Sequence, residues 1–220
     1  MKLIKIIDKK CNPLEEPNNF IEIGKALFSI ENDFIETLFM IKKDKSMYFC
    51  ISSQLGCPIG CKFCINDSTN FNGNLSCKEI LSQIYLILSK LKINLDDLPF
   101  IGVMFSGCGE PSLNSENVIN SIKELNKIKN CKVSITTTIA SIEGIKRIIE
   151  AKINFGLQIS LHGYSDKIRK RLIPSSEGLK KIFEMCDKYY QKRQKIIDLN
   201  YLVTKIKMTP FLKYIDSFQN

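Results

Sequence analysis

The chain has 220 residues, of which 44% are hydrophobic and 25% charged, and its formal net charge is +9. These values are typical of a globular domain that can bury a core, and they argue against a disordered chain. No run of about 18 apolar residues occurs, so we predict neither a membrane span nor a membrane partner. Lysines within the short apolar run at positions 1–10 argue against a signal peptide, and we therefore expect a cytoplasmic protein.

The elements predicted from the sequence begin with a β-hairpin, whose strands lie at 20–30 and 34–41. Downstream, the apolar patterns predict alternating elements: strands at 48–54, 100–106, 132–138, 155–161 and 196–204, and helices at 76–92, 115–129, 141–151 and 165–193, the last with a break near Pro174. Such alternation favours βα units around a parallel sheet. The predicted fold class is α/β, a partial (βα) barrel preceded by a β-hairpin, with its chemistry on loops at the C-terminal ends of the strands. The predicted division is an N-terminal extension with the hairpin at 1–46 and a core at 47–220.

The basic charge is one sign of an RNA partner, because clustered Lys and Arg release counterions from phosphates. Only four of the 32 basic residues are Arg, however, and Arg is the better phosphate clamp. A composition that is generally rich in Lys explains the charge equally well. Charge alone therefore does not decide between a nucleic-acid partner and none.

The cysteines point to a metal or redox centre. A reducing compartment disfavours disulfides, and three of the nine cysteines fall within eight residues. Cys57, Cys61 and Cys64 have the spacing C-x3-C-x2-C and directly follow the first strand of the βα series. Three thiolates suit a 4Fe–4S cluster in which one iron lacks a protein ligand. Two alternatives stay open: a zinc site completed by a distant cysteine, and a closed cluster with Cys50 or Cys108 as fourth ligand.

Beyond this spacing, the segment CISSQLGCPIGCKFC at 50–64 resembles the radical S-adenosylmethionine (SAM) enzymes, in particular those that methylate adenine in large-subunit ribosomal RNA. The likeness continues in order through four further motifs: FNGNLS (71–76), GCGEPSLN (107–114), VSITTT (133–138) and SLHGYSDKIRKRLIP (160–174). The resemblance implies a barrel of the radical SAM type. It also implies a 4Fe–4S cluster on Cys57, Cys61 and Cys64, with SAM as cofactor.

The same resemblance implies roles for further residues. The cofactor-binding residues would be Gly109, Glu110, Thr136, Ser160, Leu161 and His162, with the Glu110 carboxylate facing the ammonium group of SAM. Cys50 would resolve a covalent RNA–protein adduct by forming a disulfide, and Glu36 would take part in removing a proton. Without the resemblance, Cys50 is interpreted as a small buried thiol, Glu36 as a surface carboxylate and His162 as a structural residue.

The expected function is that of a radical SAM enzyme related to RNA (adenine) methylation, with rRNA or tRNA as partner and an electron donor such as flavodoxin or ferredoxin. The family's methyl-carrying cysteine near its C-terminus, its sixth strand and its N-terminal RNA-binding domain have no counterpart in the sequence. We therefore expect a truncated relative, and a partner subunit that completes the barrel is a further hypothesis. Two other functions stay open: a radical SAM enzyme acting on a protein, peptide or small molecule, and a non-catalytic iron–sulfur module.

Overall fold

A computed structural model of the chain describes residues 1–10, 19–68 and 70–202. Ten strands and five α-helices follow one another along these residues. The strands are β1 (Lys2–Lys10), β2 (Phe20–Ile30), β3 (Asp33–Lys42), β4 (Met47–Ile51), β5 (Gln54–Leu55), β6 (Gly73–Asn74), β7 (Ile101–Phe105), β8 (Cys131–Thr137), β9 (Gly156–Ser160) and β10 (Ile197–Asn200). The helices are α1 (Cys77–Leu91), α2 (Ser115–Leu125), α3 (Ile142–Glu150), α4 (Asp166–Leu172) and α5 (Leu179–Arg193).

Eight of the strands form one sheet, in the order β1-β2-β3-β4-β7-β8-β9-β10. The pairs among β1 to β4 are antiparallel, whereas β4, β7, β8, β9 and β10 run parallel. The short strands β5 and β6 pair with each other and flank the cysteine-rich loop. The parallel part confirms the predicted α/β class and its five βα strands, and β2 with β3 confirms the hairpin.

The core lies between the parallel strands and the helices. Alternate residues of β4, among them Phe49 and Ile51, are buried against apolar residues of the helices, such as Ile84 of α1. The residues between them, Tyr48 and Cys50, are only half-buried. One face of the sheet is therefore covered, while the other carries the side chains from which a site can be built.

Helix α1 begins where the capping pattern predicts. The Ser76 side chain accepts a hydrogen bond from the Glu79 N–H, and the Glu79 side chain accepts one from the Ser76 N–H. At its end, Lys92 adopts a left-handed conformation with φ 56°. The predicted bounds of this helix are thus confirmed to within a residue.

Strand β1 was not expected from the sequence. It pairs antiparallel with β2, so the predicted hairpin is the inner part of a three-stranded antiparallel unit.

The predicted division of the chain at residue 46 stays a prediction. Strands β3 and β4, which lie on either side of this residue in sequence, pair with each other in one sheet. Within the described ranges, no helix combines the length and apolar character needed to cross a bilayer.

Candidate active site

The cysteine-rich loop follows β5 and turns tightly. Gly56 and Gly60 have φ angles of +72° and +70°, in the left-handed region that favours glycine. A Cβ atom on Gly56 would lie 1.8 Å from the carbonyl oxygen of Asn70, so the loop passes too close to this segment for a side chain. The Cys64 N–H donates to the Cys61 carbonyl over 2.9 Å and closes the last turn. Gly56, just before Cys57, and Gly60, just before Cys61, therefore allow the loop to fold back on itself.

All three predicted cluster ligands, Cys57, Cys61 and Cys64, line one cavity of about 200 Å³. Four of the six predicted cofactor-binding residues line it as well: Gly109, Glu110, Thr136 and Ser160. They come from the ends of β7, β8 and β9, where the chemistry of parallel strands was expected. The structure thus brings residues from four separate motifs around one small space.

The thiols in this cavity are close enough to influence one another. Burial raises the pKa of Cys61 to about 12, and the neighbouring Cys57, Cys64 and Glu110 add to the rise, whereas Arg169 opposes it. The pKa of Cys57 is also raised, mainly by burial, and the backbone N–H of Ile59 opposes this rise. In the absence of a metal, Cys57 and Cys61 are therefore neutral at physiological pH.

Glu110 is buried, and its side chain already has partners in the protein. Oε1 accepts hydrogen bonds from the Ser112 N–H, at 3.0 Å, and from the Thr137 hydroxyl. Oε2 accepts from the N–H and the hydroxyl of Thr138, both at 2.8 Å. The carboxylate therefore joins the loop after β7 to the end of β8. Because a carboxylate offers about four lone-pair positions, an incoming ammonium would share or replace one of these bonds.

The remaining predicted cofactor residues have local contacts of their own. Thr136 donates its hydroxyl hydrogen bond to Oε1 of Gln158, at 2.9 Å, on the neighbouring strand β9. Leu161 is fully buried. Its N–H donates to the Asn200 carbonyl over 3.0 Å, which ties the end of β9 to β10.

His162 adopts a left-handed φ of 51° at the end of this segment. Its ring packs edge-on against Phe63 of the cysteine loop, with the ring centroids 4.7 Å apart. Nδ1 accepts a hydrogen bond from the Leu202 N–H at 3.0 Å, which requires a neutral imidazole. Burial, assisted by the nearby Arg169 charge, lowers the pKa of His162 to about 4. These contacts favour the structural interpretation of His162, beside the cysteine loop.

Glu36 and Cys50 line a second, larger cavity of about 800 Å³. Cys50 lies opposite Leu38 in the β3–β4 pair, two residues along β3 from Glu36. Glu36 forms an exposed ion pair with Lys25, at 2.9 Å. Burial raises the pKa of Cys50, and a hydrogen bond with Ser106 opposes the rise. The two predicted catalytic residues therefore share one cavity.

The two cavities adjoin each other. Four residues line both of them: Cys64, Asn66, Ser106 and Gly107. A ligand in the larger cavity would consequently meet the cysteine loop at the wall that it shares with the smaller one. This continuity links the predicted metal, cofactor and catalytic residues into one site.

Sequence reasoning missed one buried cation in this site. Arg169 on α4 has no exposed surface, and its guanidinium donates to the carbonyls of Thr138, at 2.5 Å, Ser160, at 2.7 Å, and Leu161. It thereby joins the C-terminal ends of β8 and β9 beside the cysteines. The only signal was that two of the chain's four arginines, Arg169 and Arg171, lie in the motif SLHGYSDKIRKRLIP, and such a signal does not reveal which of them is buried.

Comparison with known families agrees with this arrangement. The Radical SAM superfamily is matched over residues 51–217, which include the cysteine loop and every parallel strand but for the first four residues of β4. The chain belongs to the radical SAM superfamily.

Individual relatives within this superfamily are RNA-modifying enzymes by name. The chain is 36% identical over 166 residues to the dual-specificity RNA methyltransferase RlmN of Buchnera aphidicola, covering 74% of the chain and 46% of the relative. It is 32% identical over 204 residues to the probable dual-specificity RNA methyltransferase RlmN of Chlorobium phaeobacteroides, covering 89% of the chain and 56% of the relative. The chain thus spans about half the length of these curated relatives.

Solved structures support the radical SAM fold. A radical SAM methyltransferase from Sphaerobacter thermophilus superimposes with a TM-score of 0.79 at 20% identity, covering 97% of the chain and 63% of that structure. A spore photoproduct lyase complexed with dinucleoside spore photoproduct gives a TM-score of 0.53 at 13% identity, covering 78% of the chain and 50% of that structure. At these identities the likeness concerns the fold alone.

The donor set of this radical SAM chain fits the 4Fe–4S cluster that is general in the superfamily. Each thiolate of such a cluster binds a different iron, so the three cysteines need to share a cavity and need not surround one point. In the described ranges, no group of three or more His, Cys, Asp and Glu side chains is arranged around a position for a single metal ion. Iron would bind the buried thiols as thiolates, because a bound cation favours their deprotonation.

Cys108 lies close to this donor set. Burial raises its pKa to about 11, and the neighbouring Cys57 and Cys64 contribute to the rise. Cys50 has a different environment, in which burial and Ser106 set the pKa. Two cysteines were considered from the sequence as a fourth ligand. Of these, Cys108 is the one whose pKa is affected by the cysteines of the loop.

Proposed function

We propose that this chain holds a 4Fe–4S cluster on Cys57, Cys61 and Cys64, cleaves SAM reductively, and acts in the methylation of adenine in RNA. One observation carries the proposal: the cavity that contains the three cysteines adjoins the cavity that contains Cys50 and Glu36. The names of the relatives, which are RNA methyltransferases, supply the substrate class.

A cluster at this position would supply the electron that cleaves the sulfonium group of SAM. The chain's residues would bind and orient the reactants, and the closely packed strand ends would limit access of water. Glu110, Thr136 and Ser160 provide oxygen atoms beside the cysteines, where an amino-acid moiety could be held. Each of these residues is fixed by a bond to a neighbouring strand or helix, so the pocket is organised before a ligand arrives.

The larger cavity would hold the RNA nucleotide. Its volume of about 800 Å³ and its open side suit a nucleotide that is presented from a larger molecule. There the Glu36 carboxylate, which pairs with Lys25 at 2.9 Å, would accept a proton from the substrate. The Cys50 thiol, held beside Ser106, would lose its proton and attack the sulfur of the cysteine that bridges to the base, a cysteine that the partner subunit would have to supply. The S–S bond would form as the bond between that sulfur and the transferred carbon breaks, and a proton would complete the methyl group on the base.

The proposal includes partners and a location. An electron donor such as flavodoxin or ferredoxin would deliver the electron, and rRNA or tRNA would be the substrate. A partner subunit could complete the barrel beside β10, the strand at the far edge of the described sheet. A cytoplasmic location, where thiols stay reduced, would suit free cysteines, and all eight described cysteines are free.

The first experiment tests the cluster and its reaction. The protein is reconstituted anaerobically with iron and sulfide, and 5′-deoxyadenosine is measured after addition of SAM and a reductant. We expect wild type to form it and Cys61→Ala to lose both the iron and the product, whereas Cys186→Ala, on α5 away from both cavities, keeps them. Uptake of zinc in place of iron, or product formation that is independent of Cys61, would contradict the proposal.

The second experiment tests the substrate. RNA is incubated with SAM labelled in its methyl group, and incorporation into adenine is compared among wild type, Cys50→Ala and Glu36→Gln. We expect both variants to lose at least about tenfold in labelling. Formation of 5′-deoxyadenosine without any labelling of RNA would instead favour a protein, peptide or small molecule as substrate.

A further inference from the structure

The hairpin presents an exposed aromatic ring at the larger cavity. Phe34 is 63% exposed and lines this cavity together with Glu36. The two residues are separated by one position on β3, so their side chains lie on the same face of the strand, roughly 7 Å apart. A ring that is so exposed gains little from packing within the protein, and it stands beside the proposed proton acceptor.

The position of Phe34 is fixed by the residue that precedes it. Asp33 accepts a hydrogen bond from the side-chain amide of Asn72 over 2.6 Å, and Asn72 lies beyond the cysteine loop in sequence. This bond joins the start of β3 to the segment that leads into β6. The ring is therefore held on a hydrogen-bonded strand, and stacking on it would cost little conformational entropy.

A second exposed apolar side chain lines the same cavity from another element. Ile65 directly follows Cys64 and is 88% exposed. Single exposed apolar residues are ordinary, but here two of the most exposed ones in the described chain face one cavity. Four asparagine residues, Asn32, Asn66, Asn70 and Asn72, also line the cavity, and asparagine amides can pair with the edge of a base.

We propose that Phe34 is the stacking residue for the unpaired RNA base on which the enzyme acts, with Ile65 bounding the other side of that base. The inference rests on the function proposed above. A base stacked on Phe34 would lie next to Glu36, and the exposed Lys25, which is paired with Glu36, would be near the phosphate of the same nucleotide. Base–aromatic stacking is typically worth about 1–3 kcal/mol per base, which corresponds to roughly 5- to 150-fold in affinity.

The chain offers a direct optical test because it contains no tryptophan. In Phe34→Trp, the introduced indole is the only one, and stacking with a base quenches its fluorescence. The probes are an RNA hairpin with one unpaired adenine and the same hairpin with an abasic residue at that position. Tyr190→Trp, at a site on α5 that is 53% exposed, is the control for non-specific quenching.

Quenching of Phe34→Trp by the adenine hairpin alone, together with an approximately tenfold weaker binding of that hairpin by Phe34→Leu, would support the proposal. Equal quenching by the abasic hairpin, no quenching, or wild-type affinity in Phe34→Leu would overturn it. Iron content after reconstitution shows that each variant is folded. Stacking without methyl transfer would refute the proposed function and leave the base site standing, whereas methyl transfer at an unchanged KM in Phe34→Leu would do the reverse.

Discussion

The Ser52 hydroxyl donates a hydrogen bond to the backbone carbonyl of Glu36 over 2.8 Å. The Ser52 hydroxyl oxygen also accepts a hydrogen bond from the Cys108 N–H at 2.9 Å, and the Ser52 side chain has no exposed surface. One buried hydroxyl thus joins the hairpin strand that carries Glu36 to the loop that leads to Glu110. The relative position of the two cavities depends on this contact.

Replacing Ser52 with alanine removes both bonds and leaves the Cys108 N–H without its partner. We expect Ser52→Ala to lower the free energy of unfolding by about 1–3 kcal/mol, because an unsatisfied buried polar group is costly. Urea denaturation measures the change. Ser82→Ala is the matched control, since the Ser82 hydroxyl bonds only to the Lys78 carbonyl one turn earlier in α1. Equal losses in the two variants would contradict a special role for Ser52.

Arg169 provides a second test of how the strand ends are held. Arg169→Met keeps much of the apolar length and removes the donors to Thr138, Ser160 and Leu161. We expect a loss of about 3 kcal/mol or more, because bonds to a charged donor contribute about 1.5–3 kcal/mol each. Arg171→Met, at an exposed position of the same helix, should change the free energy of unfolding by less than about 0.5 kcal/mol. A small effect of Arg169→Met in urea denaturation would mean that the three carbonyls find other donors.

His162 makes stability depend on pH over a defined range. Its folded pKa of about 4 lies below the unfolded value of about 6.5, so the unfolded chain binds the proton more tightly. The stabilising contribution is complete above pH 6.5 and is lost as the pH falls toward 4, with a slope of up to about 1.4 kcal/mol per pH unit. Because this is the only histidine of the chain, its ring proton resonances report the titration directly.

The control for that experiment is His162→Asn, since asparagine tolerates the left-handed backbone of this position. The difference between wild type and variant in urea midpoint should shrink from pH 7 to pH 5, after the shared titration of carboxylates cancels. A constant difference, or a ring titration near pH 6.5, would show that the imidazole is not shielded as the structure indicates.

Much of the fold could be predicted because it is encoded in local patterns. The alternation in 20–30 and 34–41 gave the hairpin, and the capping pair Ser76 and Glu79 gave the start of α1. Strand β1 escaped because it mixes lysines with apolar residues and gains its conformation by pairing with β2. The residues of a strand alone do not reveal the strand elsewhere in the chain with which it pairs.

The site divides in the same way. The spacing of Cys57, Cys61 and Cys64 is a local feature, and all three line one cavity in the structure. The four bonds to Glu110 and the burial of Arg169 depend on groups up to 31 residues away, which a single sequence does not align in space. Phe34 could not be singled out from the sequence for a similar reason. Its exposure beside the cysteine loop is known only once the hairpin is placed next to that loop.

Gly56 offers a test of the cysteine loop that leaves every thiol in place. In Gly56→Ala, the new methyl group would meet the Asn70 carbonyl at 1.8 Å, and the backbone would be strained by its φ of +72°. We expect the loop to shift and the reconstituted protein to lose most of its iron and sulfide and the visible absorbance of the cluster. Gly73→Ala separates the two causes, because Gly73 also has a positive φ, of +138°, but a Cβ there has no neighbour within 4 Å. Gly73→Ala should therefore retain its iron, and equal loss from both variants would show that backbone strain, rather than the close approach of Asn70, accounts for the effect.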